Sequence, residues 1–200
     1  MKITKEFLHE KGACRSGYGW FIENFPDGEA EYQDVLDRLA EDDQISHASW
    51  LMQKAGSDNS VKEVDELSGV KNFFFAGKVV VKGMISVTGY LMAGSGIKAG
   101  WYIKAGEGIE AGWCIEAGWC IEAGSGIKAG WDIKAGSGIE AGEGIEAGWY
   151  IKAGEDYGIF AGLHVEIGRW EFHAKVTAKT KPENLISGFW CESSESEEAA

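Results

Sequence analysis

Isoleucine recurs every six residues from Ile97 to Ile151, and each is followed two positions later by Ala-Gly, from Ala99-Gly100 to Ala153-Gly154. The unit reads I-[KE]-A-G-[WSE]-x. Its internal alternation puts Ile and Ala on one side and Lys or Glu on the other, the period of an extended strand. A helix is excluded, because a Gly in every unit would cost it about 1 kcal/mol each time. A fixed short repeat of this kind predicts stacked coils, a β-solenoid running from about Phe73 to about Ala178. The same register continues upstream through Leu91/Ala93/Gly94, Ile85/Val87, Val79/Val81 and Phe73/Phe75. Downstream, extra residues around Glu155-Asp156 break the phase. It resumes at Ile159/Ala161/Gly162 and Val165/Ile167/Gly168, and Phe172/Ala174 with Val176/Ala178 is expected to close the far end.

The tryptophans set the coil length. At eighteen residues per coil, Trp113, Trp131 and Trp149 fall in one column and Trp101 and Trp119 in a second, while the third column reads Glu107, Ser125, Glu143. A twelve-residue coil scrambles that segregation. Lys98–Glu116–Lys134 and Glu110–Lys128–Glu146 alternate in sign at eighteen, which is favourable for strand neighbours, although twelve would alternate equally well. The expectation is a three-faced prism with about eighteen residues per coil.

The ends of the chain differ. Residues 1–60 read as a small α-helical N-terminal domain. Thr4 caps a short helix through Lys11 that stops at Gly12. Residues from Cys14 to Phe21 read as an aromatic, turn-rich segment. Glu29 to Asp42 reads as the strongest helix, with Tyr32, Val35, Leu36 and Leu39 as its apolar stripe. Ser46 is expected to cap a third helix that ends at Gly56, and residues 57–60 read as a linker. Residues 61–190 hold the solenoid and its capping strands, and 191–200 an acidic, disordered tail.

Charge narrows the function. The chain has 200 residues and a formal net charge of −13, which disfavours direct nucleic-acid binding. The acidity sits at the ends: residues 1–60 carry −6 and residues 191–200 carry −4, whereas 73–190 balance 11 basic against 13 acidic side chains. Cys14, Cys114, Cys120 and Cys191 lack metal-ligand spacing, and Cys114 and Cys120 sit too far apart, on neighbouring faces, to bridge. No signal peptide or long apolar run is visible. The expectations are a cytoplasmic chain with no membrane association, no metal and no cofactor.

The Ile/Ala-Gly array resembles the hexapeptide-repeat, left-handed parallel β-helix family, although that family usually places a small residue before its aliphatic one. The resemblance covers about half of the chain and implies a mainly β, three-faced, left-handed solenoid. Some members are acyltransferases that use a His as base. His164 and His173 lie near the array but beyond its phase break, and His9 and His47 lie in the helical part, so all four read as surface or capping residues and no catalytic residue is assigned. The N-terminal segment joined to this array also resembles a type of protein found in phages and prophages. That resemblance implies an inhibitor of bacterial defence, anti-CRISPR or anti-restriction, acting in the host cytoplasm.

Two surfaces are therefore candidates. Glu31, Asp34, Asp37 and Glu41 form either a solvated helix face or a carboxylate array that mimics DNA phosphates. Such an array would fill the basic groove of a host protein or ribonucleoprotein complex. Trp101, Trp113, Trp119, Trp131 and Trp149 form either an interface, for a partner or for a homodimer, or a surface covered by the N-terminal helices or by the final strands. The leading expectation is a non-enzymatic inhibitor that acts by occupancy. A self-assembling structural module is the alternative, and an acyltransferase stands third.

Overall fold

A computed structural model describes residues 1–193 and shows a parallel β-solenoid of about seven turns, with four helices packed at its N-terminal end. Strands Lys2–Thr4 (β1) and Glu29–Glu31 (β2) pair antiparallel. Around them lie Lys5–Glu10 (α1), Arg15–Asn24 (α2), Tyr32–Glu41 (α3) and Ile45–Ala55 (α4). Thr4 caps α1 by accepting the Phe7 N–H, and Gly56 ends α4 with a φ of +74°.

Three expectations for this region are corrected. The Cys14–Phe21 stretch is not turn-rich but forms most of α2, whose Gly17 and Gly19 are tolerated because Phe21 docks into the core. Glu29–Glu31 is strand rather than helix, since its backbone pairs with β1, so Glu31 precedes α3 instead of lying on it. Ser46 is the second residue of α4, and no side chain caps that helix. The apolar stripe of α3 behaves as expected: Tyr32, Val35, Leu36 and Leu39 are all buried.

The solenoid has three sheets, one per face. Face I holds six strands, from Val61–Val64 to Tyr150–Lys152. Face II holds seven, from Leu67–Val70 to Leu185–Ser187. Face III also holds seven, from Phe73–Phe75 to Phe189–Glu192. Ile103 pairs with Ile85 on one side and Ile121 on the other, and Ile121 in turn with Ile139, so each coil spans eighteen residues. The inward Ile and Ala side chains form one continuous core. Coils begin earlier than Phe73, because Val61–Val64 and Leu67–Val70 already pair with the next turn.

The far end departs from the repeat. Ile159 and Ala161 are buried in register, but Val165/Ile167/Gly168 builds no strand. Residues 163–173 leave the coil as an excursion with a 3-10 turn, Ile167–Arg169, and a short helix, Trp170–His173 (α5). Ile167 is 93% exposed and Phe172 72%. Lys175–Ala178 then rejoins face III, and Leu185–Ser187 and Phe189–Glu192 close two faces. Cys191 and Glu192 thus belong to a strand instead of the expected tail, whose remainder from residue 194 lies outside the described residues.

Helices and solenoid share packing. On face III the outward column reads Phe74, Met92, Glu110, Lys128, Glu146. Its first two side chains are apolar because the helices cover them, and both are 1% exposed within the helical core. Strand Phe73–Phe75 is the edge of its sheet. Gln33 of α3 satisfies that edge, donating to the Phe74 carbonyl at 2.9 Å and accepting the Ala76 N–H at 3.0 Å. Asn72 adds a second tie, donating to the Ala40 carbonyl and to Asp43 and accepting the Tyr90 N–H.

Candidate functional site

Because the apolar stripe of α3 faces the core, its polar residues face solvent. Asp34, Asp37 and Glu41 are exposed around Arg38, and with Asn24 and Phe25 they line a depression of about 370 Å3. Arg38 lies 3.3 Å from Glu41 and 3.2 Å from Asp42, and Gln33 donates to Asp37 at 2.7 Å. These pairs are solvent-exposed and contribute about 0–1 kcal/mol each to stability. Glu31 stands apart, its carboxylate 3.5 Å from the N-terminal amino group. Asp43 continues the acidic surface, and hydrogen bonds from Lys71 and then Asn72 hold its carboxyl below the usual carboxylate range.

The tryptophans occupy corners of the prism. Trp101 and Trp119 follow strands of face I, and the Trp119 N–H donates to the Trp101 carbonyl at 2.7 Å. Trp113, Trp131 and Trp149 precede strands of face I and are linked by the same kind of bond at 2.8 Å. Among the described residues, nothing covers either column: exposures are 61% and 66% in the first and 64%, 49% and 42% in the second. Rings Trp113–Trp131 and Trp131–Trp149 stack with centroids 6.4 and 5.3 Å apart. Lys179 Nζ lies over Trp149 at 4.4 Å. Face I between the columns carries Lys98, Glu116, Lys134 and Lys152, with Lys98–Glu116 paired at 3.1 Å. Asp132, beside Trp131, is 6% exposed, with one oxygen 3.7 Å from Lys134 Nζ and the other without a partner among the described residues.

The excursion carries both solenoid-end histidines. His164 Nδ1 lies 2.8 Å from the Gly124 carbonyl, tying the excursion to a corner, and His173 lies 3.0 Å from Arg169.

Sequence reasoning missed a third cluster. Cys14 is the N-cap of α2, and its Sγ accepts the Gly17 N–H at 3.4 Å. Ser16 Oγ is 3.2 Å from that sulfur, and His47 Nε2 is 3.9 Å from it. Cys14 and His47 are 33 residues apart and meet only because α2 and α4 enclose a common apolar cleft. The one local signal was a Cys three residues ahead of Gly17, in a position able to cap a helix.

Among the described residues, no helix is long and apolar enough to cross a membrane. No curated protein and no solved structure matched the chain. Residues 1–59, which span the four helices and end ahead of the first solenoid strand, are similar to the family described as the YdhT N-terminal domain.

Proposed function

We propose that the chain is a non-enzymatic protein-binding inhibitor, phage-encoded, of a host nucleic-acid-handling complex such as a CRISPR or restriction assembly. It acts by occupying a basic groove. The observation that carries this reading is the mounting of Asp34, Asp37 and Glu41. Their helix is fixed to the solenoid edge through Gln33, so the carboxylates project from the end of a rigid post. Binding by fixed like charges needs no chemistry, is steered at long range, and weakens with salt.

The test is capture from bacterial lysate at low salt with wild type and the triple variant Asp34→Lys, Asp37→Lys, Glu41→Lys. All three side chains are exposed, so folding should be retained. The expected result is capture of a nuclease or CRISPR component by wild type, at least about tenfold weaker for the variant and weakened by added salt. Equal capture by both proteins, or none by wild type, overturns the reading.

The Trp columns favour a second reading, self-association. Stacked indoles this exposed make an apolar rib of the kind that marks interfaces. Sedimentation should then show wild type as a dimer and Trp131→Ser as a monomer. A monomeric wild type at high concentration would remove this reading.

A further inference from the structure

The two ends of the solenoid treat their open strand edges differently. At the N-terminal end the edge of each sheet is blunted. Strand Phe73–Phe75 is held by Gln33 of α3. Strand Leu67–Val70 carries a register break between Ser68 and Val70, with Gly69 at a φ of +76°. Strand Val61–Val64 puts Lys62 at the inward position aligned with Val79, where an approaching sheet would have to bury its charge. Covering elements, bulges and inward-pointing charges are the devices that stop one sheet edge from adding to another.

The C-terminal edge of face III lacks a bulge and a covering side chain. Strand Phe189–Glu192 pairs with Lys175–Ala178 without a break in register. The Phe189 N–H donates to the Ala174 carbonyl at 2.8 Å and the Ser193 N–H to the Ala178 carbonyl at 3.0 Å. Phe189, Cys191 and Ser193 thus bond to the coil below. Within a parallel ladder a residue's N–H and C=O point the same way, and successive residues alternate. Trp190 and Glu192 therefore turn both groups toward the open end, and among the described residues nothing pairs with them. The rim is apolar, with Ile186 65% and Phe189 40% exposed. Trp190 and Leu185, half-buried against the core, form its last layer on faces III and II. The one charge on the edge, Glu192, stands at the end of its strand and is exposed.

We propose that this edge is a docking site for a second copy of the chain. Two solenoids join at their C-terminal ends, with the Phe189–Glu192 strands antiparallel across a two-fold axis beside Cys191. That axis sets Trp190 of each copy opposite Glu192 of the other, so every outward N–H and C=O of both residues finds a partner. An axis centred on Trp190 would instead set Glu192 against Gly188, whose φ of +128° takes it out of the strand. An extended peptide could satisfy the same backbone groups, but it would leave the layer of Trp190 and Leu185 open. A second solenoid end brings an edge and an equivalent apolar layer together, and the two cores continue into one another. The site is separate from the Trp columns and lies at the opposite end from Asp34, Asp37 and Glu41. Under the inhibitor reading, the pair presents that acidic surface at both ends and binds bivalently.

The register places the two Cys191 residues directly opposite in a non-hydrogen-bonded pair, their Cα atoms about 4.5 Å apart and within disulfide reach. The experiment measures the mass of the purified, reduced full chain by sedimentation and then oxidises it with diamide. The expected result is a dimer that diamide traps through Cys191; Cys191→Ser should still sediment as a dimer but escape trapping. Glu192→Pro removes an outward N–H and no bond to the coil below, so it should weaken dimerisation about tenfold or more with an unchanged melting curve. Glu192→Ala keeps that N–H and should dimerise as wild type does. Cys191→Arg and Cys191→Glu each set like charges across the axis and should each dimerise about fivefold more weakly, while an equimolar mixture of the two restores the dimer. Should Glu192→Pro lower the melting temperature, this charge pair decides the question. A wild type that stays monomeric at high concentration overturns the proposal, as does trapping through Cys14, Cys114 or Cys120. A dimer that Trp131→Ser abolishes, or charge variants that dimerise as tightly alone as mixed, overturn it as well.

Discussion

Ile121→Asp should abolish the cooperative fold of the solenoid, lowering stability by about 4 kcal/mol or more. Ile121 is fully buried and stacked in register between Ile103 and Ile139. The substitution removes that packing and leaves a carboxyl group facing a core built from Ile, Ala, Val and Leu side chains with no partner for it. Coils on both sides lose a neighbour, so the damage is not confined to one turn. Thermal unfolding followed by circular dichroism checks this, with Glu122→Gln as the comparison. Glu122 points outward from the same strand and pairs with Lys104 at 2.8 Å, so its loss should cost no more than about 1 kcal/mol. An unshifted melting curve for Ile121→Asp would refute the inward assignment of the Ile column.

Gly124→Ala should be the second most damaging change, costing about 2 kcal/mol or more. The corner glycines stack directly over one another's carbonyls. A Cβ on Gly124 would overlap the Gly106 carbonyl oxygen, and Gly118 stands in the same relation to Gly100. The obstacle is backbone that is itself hydrogen-bonded into the next coil, with the Gly124 N–H on the Ala105 carbonyl at 3.1 Å, so relief requires the coils to separate. Gly19→Ala provides the opposite sign. It lies inside α2 where an added Cβ would meet no neighbour outside the helix backbone, and removing backbone freedom there should stabilise the chain by about 0.5–1 kcal/mol. Equal effects at Gly19 and Gly124 would show that helix or strand propensity, rather than close approach, governs the corner.

The contrast between these glycines shows what was legible. Gly124 announces its role by recurring in every unit, whereas Gly17 and Gly19 occur once and suggested a turn. Their helix forms because Phe21 and Trp20 find partners elsewhere, Trp20 Nε1 donating to Asp42 at 2.9 Å. Similarly, nothing local distinguishes Glu29–Glu31 from the helix it precedes. Its strand exists because Lys2–Thr4 lies alongside. The excursion at 163–173 was misread for a related reason. After the phase break, the place on face III beside Ile145–Ala147 is taken by Val176 and Ala178 instead of Val165 and Ile167, and Ile167 stays in solvent.

By itself, the sequence determined the solenoid, its eighteen-residue coil and the inward Ile and Ala. It did so because every contact in a stacked coil joins residues a fixed number of positions apart, so the pattern of contacts is written as a pattern of residues. Tertiary structure alone decided which parts of that regular surface are open. The helices cover Phe74 and Met92 and leave both Trp columns exposed, and α2 and α4 bring Cys14 to His47 across a cleft. Those meetings arise from the packing of aperiodic elements, where no fixed spacing relates the partners and only burial of apolar area selects them.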